Sequence, residues 1–241
     1  MCRRCQGYVY ALYNFGLKTP GFYLTRRRTP ALPTARRQMT SHPTETELLR
    51  AEIAAAAARM ITEDGADYGT AKRRAARQVL GDVRVKGDIL PDNAQIEDEV
   101  RVYNDLFFSE TQPARLLHLR KLAVQLMEEL AEFSPYLTGA VLNGTAGDQS
   151  DIHLQLFVEN AKDVAVFLMN RNIQFEVSES AHFHKRGEPV ETLSFLRGND
   201  GVHLALYDYN DRRAARKPAD PTRPERANLD AVRALVEKAG K

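Results

Sequence analysis

The sequence predicts an α+β fold in which an N-terminal four-helix region precedes a small mixed α/β sheet domain. Three observations predict it. Apolar residues recur at helical spacing through 44–133, the period changes to two beyond Pro135, and 43% of the 241 residues are hydrophobic, enough to bury a core. No apolar run approaches the roughly 20 residues of a membrane-spanning helix. The longest, 122–133, is interrupted by Gln125, Glu128, Glu129 and Glu132. The expectation is a soluble chain, and the absence of cysteine from Met39 onward suits a reducing cytoplasm.

Thr44 followed by Glu47 is a capping box, and Leu48, Leu49, Ile53, Ala56, Ala57 and Met60 repeat at helical spacing up to Gly65. A second helix is expected from about Tyr68 to Leu80, with Ala71, Ala75, Ala76 and Val79 on a small-residue face and Gly81 as its stop. Asp92 or Asn93 can cap a third, carrying Ile96, Val100, Tyr103, Leu106 and Phe107. The fourth starts at Thr111, has Pro113 in its first turn and keeps a wide apolar stripe as far as Phe133.

Past Pro135, the apolar run 137–142 reads as a strand ending at Asn143-Gly144. Residues 151–158 alternate, with Ile152, Leu154 and Leu156 on one face and Asp151, His153 and Gln155 on the other. A helix near 162–169, short strands near 175–177, 191–196 and 202–207, and a closing helix at 228–238 complete the order. The expected domains are residues 39–134, helical; 135–210, α/β; and 211–241, a Pro- and Arg-rich linker with the last helix.

The formal net charge of +2 arises at one end of the chain. Residues 1–38 hold eight basic residues and no acid, which leaves 26 basic against 32 acidic residues, a net of −6, for the remainder. That segment has no helical or strand period and stops just before Met39 and a helix start. It reads as lying outside the fold, whether as an upstream stretch that is not translated, an Arg-rich targeting peptide or a basic interaction arm. Its Cys2 and Cys5 form a lone C-x-x-C, short of the four ligands of a structural zinc site and of the strand-to-helix setting of a redox pair.

The stretch Gly139-Ala-Val-Leu-Asn-Gly144-Thr145-Ala-Gly147-Asp-Gln-Ser150-Asp151-Ile152-His153-Leu154 resembles, in degenerate form, the signature of the nucleotidyltransferase superfamily, the polymerase-beta-like fold. In that family a strand ends in a Gly-Ser pair, a short turn or helix follows, and the next strand opens with Ser-Asp-hydrophobic-Asp. Backbone N–H groups can then approach a triphosphate, and two carboxylates on one strand face hold Mg²⁺. The resemblance implies nucleotide binding at Gly144, Thr145 and Ser150, and a catalytic, metal-holding Asp151.

Two departures set this chain apart. Only five residues separate Thr145 from Asp151, and the second carboxylate position is His153. The strand that should bring a third acid carries His203 and has no inward carboxylate before Asp208. Mg²⁺ demands hard oxygen ligands, which imidazole does not supply. The expectation is therefore an eroded site acting in binding or regulation. A working transferase with Asp151 as metal ligand is one alternative, and a helical interaction module without a ligand site is another. A plain hairpin at 144–147, with Asp151 and His153 as the solvated face of an edge strand, stands beside these.

Asp151, His153 and His203 could form a two-His, one-carboxylate set for a divalent metal, while His182 and His184 make an H-x-H in a loop. Lys72, Arg73, Arg74 and Arg77 line one helix, and Arg212, Arg213, Arg216, Lys217, Arg223 and Arg226 a Pro-broken tail. Each basic group could touch the phosphates of a nucleic acid, although no aromatic residues interleave for base stacking; a nucleotide or another protein is the preferred partner. No G-x-x-x-x-G-K-[ST] occurs, so nothing supports a P-loop enzyme or a Mur-type ATP-dependent ligase.

The aperiodic, acid-free start of the chain generates the first prediction. A protein beginning at Met39 keeps the melting temperature of the full chain; insolubility, or a melt several degrees lower, would place residues 1–38 in the fold.

Overall fold

The capping residues read from the sequence start the helices in a computed structural model, which describes residues 44–81, 89–183, 187–214 and 223–239. Helix α1 (Glu45–Asp64) opens on Thr44, whose N–H donates to the Glu47 carboxylate at 2.7 Å while its hydroxyl accepts from the Glu47 N–H. Asp67 caps α2 (Tyr68–Leu80), and Asp92 caps α3 (Asn93–Phe107) in a second capping box. These three helices share one core, built from Ile53, Ala54, Ala57, Ala58, Ala71, Ala75, Ala76, Ile96 and Val100. Its alanines let the helix backbones approach closely.

Helix α4 (Gln112–Glu129), which ends in a single 3-10 turn (Ala131–Phe133), sits in a different core. Its Leu119, Ala123, Leu126 and Met127 pack with the sheet, and Val232 of the last helix joins them. The division of apolar cores thus falls one helix earlier than the change of sequence period at Pro135.

The sheet has six strands among the described residues: β1 (Tyr136–Thr138), β2 (Ile152–Val158), β3 (Glu176–Ser180), β4 (Val190–Arg197), β5 (Asp200–Asp208) and β6 (Arg226–Ala227), in the order β3-β4-β5-β2-β1-β6. Only β2 and β5 pair in parallel. The remaining helices are α5 (Gly139–Asn143), α6 (Ala161–Asn170), α7 (Asp211–Ala214) and α8 (Leu229–Ala239), and α6 buries Val164 and Leu168 against the sheet. The fold is α+β, as expected.

The strand expected over 137–142 stops at Thr138. Gly139 adopts a φ of 72°, which ends the extended run, and 139–143 form α5 instead. A short apolar run has no period that separates strand from helix, so the residues alone did not distinguish the two.

The sheet is two-faced. Ile152, Leu154 and Leu156 lie beside Val202, Leu204 and Leu206 in the core, whereas His153 and Gln155 lie beside His203 and Ala205 on the other face. Alternation ends at Phe157, which is buried on that second face with Tyr207 and Val190. Asp200, at the start of β5 and 6% exposed, turns back toward α4 and meets Arg115 at 2.6 Å and His118 at 2.8 Å. Burial pushes its carboxyl up, but the hydrogen bonds and charges of His118 and Arg115 outweigh that and hold it below the usual range. Among the described residues, no helix is long and apolar enough to cross a membrane.

Leu154 is 1% exposed at the centre of the larger core. Leu154→Ala is expected to cost about 2–5 kcal/mol in urea denaturation, while His153→Ala, on the open face, stays within about 0.5 kcal/mol. Equal losses would contradict the two-faced sheet.

Candidate functional site

Asp151, immediately before β2, and His153 on it both face away from the core. The parallel register sets His153 opposite His203. Their rings stack with centroids 4.7 Å apart and planes 16° from parallel. His203 Nε2 donates to Asp151 Oδ2 at 3.1 Å, and His203 Nδ1 lies 2.8 Å from the Ser194 hydroxyl of β4, which donates to it when the ring is neutral. Asp151, His203 and Ser194 thus form a hydrogen-bonded row across three neighbouring segments. Gly201 makes room for it, since a Cβ there would run into the Asp151 carboxylate.

These groups border a cleft of about 440 Å³ over the polar face, lined by Thr138, Gly139, His153, Gln155, Ser178, Ser180, Thr192, His203, Ala205 and Tyr207. His153 is exposed at the cleft, with the His203 ring stacked against it. Burial lowers its pKa below the usual histidine value, the neighbouring His203 adds to this, and Asp151 acts against it. At neutral pH His153 therefore offers a lone pair rather than a charge.

Gly144, Thr145 and Ser150 lie elsewhere, in the turn between α5 and β2. The N–H groups of Gly144, Thr145 and Ala146 all donate to the Ala140 carbonyl, at 3.0–3.1 Å, and that of Gly147 to the Ser150 hydroxyl at 3.0 Å. Thr145 is 3% exposed, its hydroxyl within hydrogen-bond distance of Asn143 and of Tyr68 from α2. The carbonyls of this segment face the helices. Arg120 donates to Val141 and Leu142, Arg101 to Asn143, Gln112 to Gly144 and Ala146, and Asn104 to Thr145.

Asp151, His153 and His203 are brought together, but stacked imidazoles present faces rather than lone pairs to each other. Among the described residues, no group of three His, Cys, Asp or Glu side chains is arranged to hold a metal ion. Asp208 turns away and accepts from the backbone and side-chain amides of Asn210. His182 pairs with Asp211 at 3.3 Å, and His184 lies outside the described residues. Of the basic cluster on α2, Lys72 donates to Asn93 and Arg73 to Thr70.

The tail expected to be a linker is partly seated: Arg223 binds Asp98 of α3, and Arg226 is a strand residue. Ser194, Gly201 and Gly139 were not singled out from the sequence as parts of a site, and Arg226 was read only as one of a basic tail that could touch phosphate. Gly201 and Gly139 had a legible signal as glycines at strand ends. The place of Arg226 on a strand had none, because a two-residue strand has no period.

The electrostatics of the cleft can be tested by NMR titration of the imidazoles. His153 titrates below about 6.5, the unperturbed histidine value, and Asp151→Asn moves it lower still, because the carboxylate charge is what favours its protonated form. An upward move would contradict this arrangement.

No family model matches the chain, and no curated protein matches it in sequence. Among solved structures, a chain of the "structure of GLD-2/RNP-8 complex" is similar at 20% identity over 49% of this chain and 49% of that one, with a TM-score of 0.27. This chain thus spans about half the length of that structural neighbour.

Proposed function

We propose that the chain is a nucleotidyltransferase-like protein that binds a nucleotide on the polar face of its sheet without transferring it, and so acts in binding or regulation. One observation carries this reading. Where the resemblance calls for carboxylates, the first position is Asp151, the second is His153, and the third strand brings His203 with no inward acid; Asp151 is already engaged with His203 at 3.1 Å. Two-metal phosphoryl transfer holds its ions about 3.5–4 Å apart between shared oxygens. One carboxylate and two imidazoles do not fit a pair of Mg²⁺ ions.

The sequence around the site supports the family part of the reading. β1 ends at Thr138, Gly139 opens a short helix, and Ser150-Asp151 lead directly into the next strand, which begins at Ile152-His153. In this arrangement the strand-ending glycine is Gly139, which borders the cleft beside His153, whereas the 144–147 turn has its N–H groups already bonded. The phosphates of a bound nucleotide would lie toward Gly139 and Asp151, with hydroxyl side chains and neutral His153 along the rest of the cleft.

The expected result with Mg²⁺ and each of ATP, GTP, CTP and UTP is no radiolabel transfer, together with calorimetric binding of at least one nucleotide that survives chelation of divalent metal. Transfer abolished by Asp151→Ala would establish a working transferase instead. Silence in both assays would favour an interaction module with no ligand site.

A further inference from the structure

Two buried polar atoms beside the cleft have no hydrogen-bond partner among the described residues: Gln155 Oε1 and Arg226 Nη1. Gln155 follows His153 by two residues on the same face of β2, and its side chain hydrogen-bonds Tyr207, leaving the carbonyl oxygen open. Arg226, on β6, pairs with Thr138, which borders the same cleft. Its side chain is only 11% exposed and its guanidinium stands 4.6 Å over the ring of Phe183. Buried polar atoms are hydrogen-bonded in the great majority of cases. An acceptor and a donor left open in one neighbourhood are suited to a group that arrives from outside.

The surroundings restrict what that group is. Tyr136 meets Phe157 edge-on at 5.6 Å, and Phe157 lies 5.7 Å from Tyr207, so the two open atoms are set among flat apolar rings. A planar ring that carries a hydrogen-bond donor near an acceptor satisfies both atoms together. Four residues of strand, about 13 Å at the usual rise, separate Gln155 from Asp151, comparable with the span from a nucleotide's base to its outer phosphate.

We propose that this end of the cleft takes a nucleobase, which donates to Gln155 Oε1 and accepts from Arg226 Nη1. This assignment rests on the nucleotide-binding reading above and names the residues that recognise the base. The base then determines which compounds bind at all.

The test is calorimetric titration of the full chain with adenosine, cytidine, guanosine and uridine, each without phosphate, beside ribose 5-phosphate. At least one nucleoside is expected to bind and ribose 5-phosphate to show no heat. Gln155→Leu and Arg226→Met are each expected to weaken that nucleoside tenfold or more, without lowering the melting temperature of the free protein as loss of a structural contact would. The comparison on the unaltered chain needs no variant to fold. Ribose 5-phosphate or nucleoside triphosphates binding with affinities that ignore the base and are unchanged by Gln155→Leu would overturn the base assignment and leave nucleotide binding standing. Silence toward every nucleoside and nucleotide would overturn both.

Discussion

Six consecutive carbonyls, from Val141 to Ala146, each accept a hydrogen bond from a helix side chain, and the placement of the site depends on this suspension. The donors come from α3 and α4, and Tyr68 of α2 reaches the Thr145 hydroxyl. A connecting segment normally lies at the surface because its backbone groups need water. This one is partly buried, and side chains take the place of water. Removing any donor would leave a carbonyl without its partner, at a cost of about 1–3 kcal/mol where water cannot replace it. The suspended segment joins α5 to β2, so the position of Asp151 follows from where the helices hold it.

Two interactions complete the frame. Asp200 fixes the start of β5 to α4 through Arg115 and His118, and Gly201 beside it leaves the space that the Asp151 carboxylate fills. The parallel pairing of β2 with β5 then sets His153 against His203 in register. Charged groups within the site are few: one carboxylate, two imidazoles and a row of hydroxyls. Such a surface offers hydrogen bonds and shape, and it lacks the concentration of oxygens that would draw hard cations in.

Much of this was legible in the residues. Capping boxes at Thr44 and Asp92 located two helix starts, and the alternation of 151–156 correctly divided the core from the open face. What failed to show had physical reasons. The run 137–142 is too short for its period to decide between strand and helix, and a left-handed Gly139 decided it. The turn at 144–147 has the composition of a phosphate loop, yet its donors are spent on Ala140 and Ser150 and the carbonyls of 144–146 on distant helices, which no local pattern reveals. Arg226 sat in a segment dominated by Pro and Arg, where a two-residue strand leaves no trace.

The suspension also alters what a map of damaging variants would mean for this protein. Arg101, Asn104, Gln112 and Arg120 do not line the cleft, yet each holds a stretch of backbone that leads directly to Gly139 on one side and Asp151 on the other. Loss of ligand binding would therefore trace a footprint reaching well into the helices, much larger than the contact surface of the ligand.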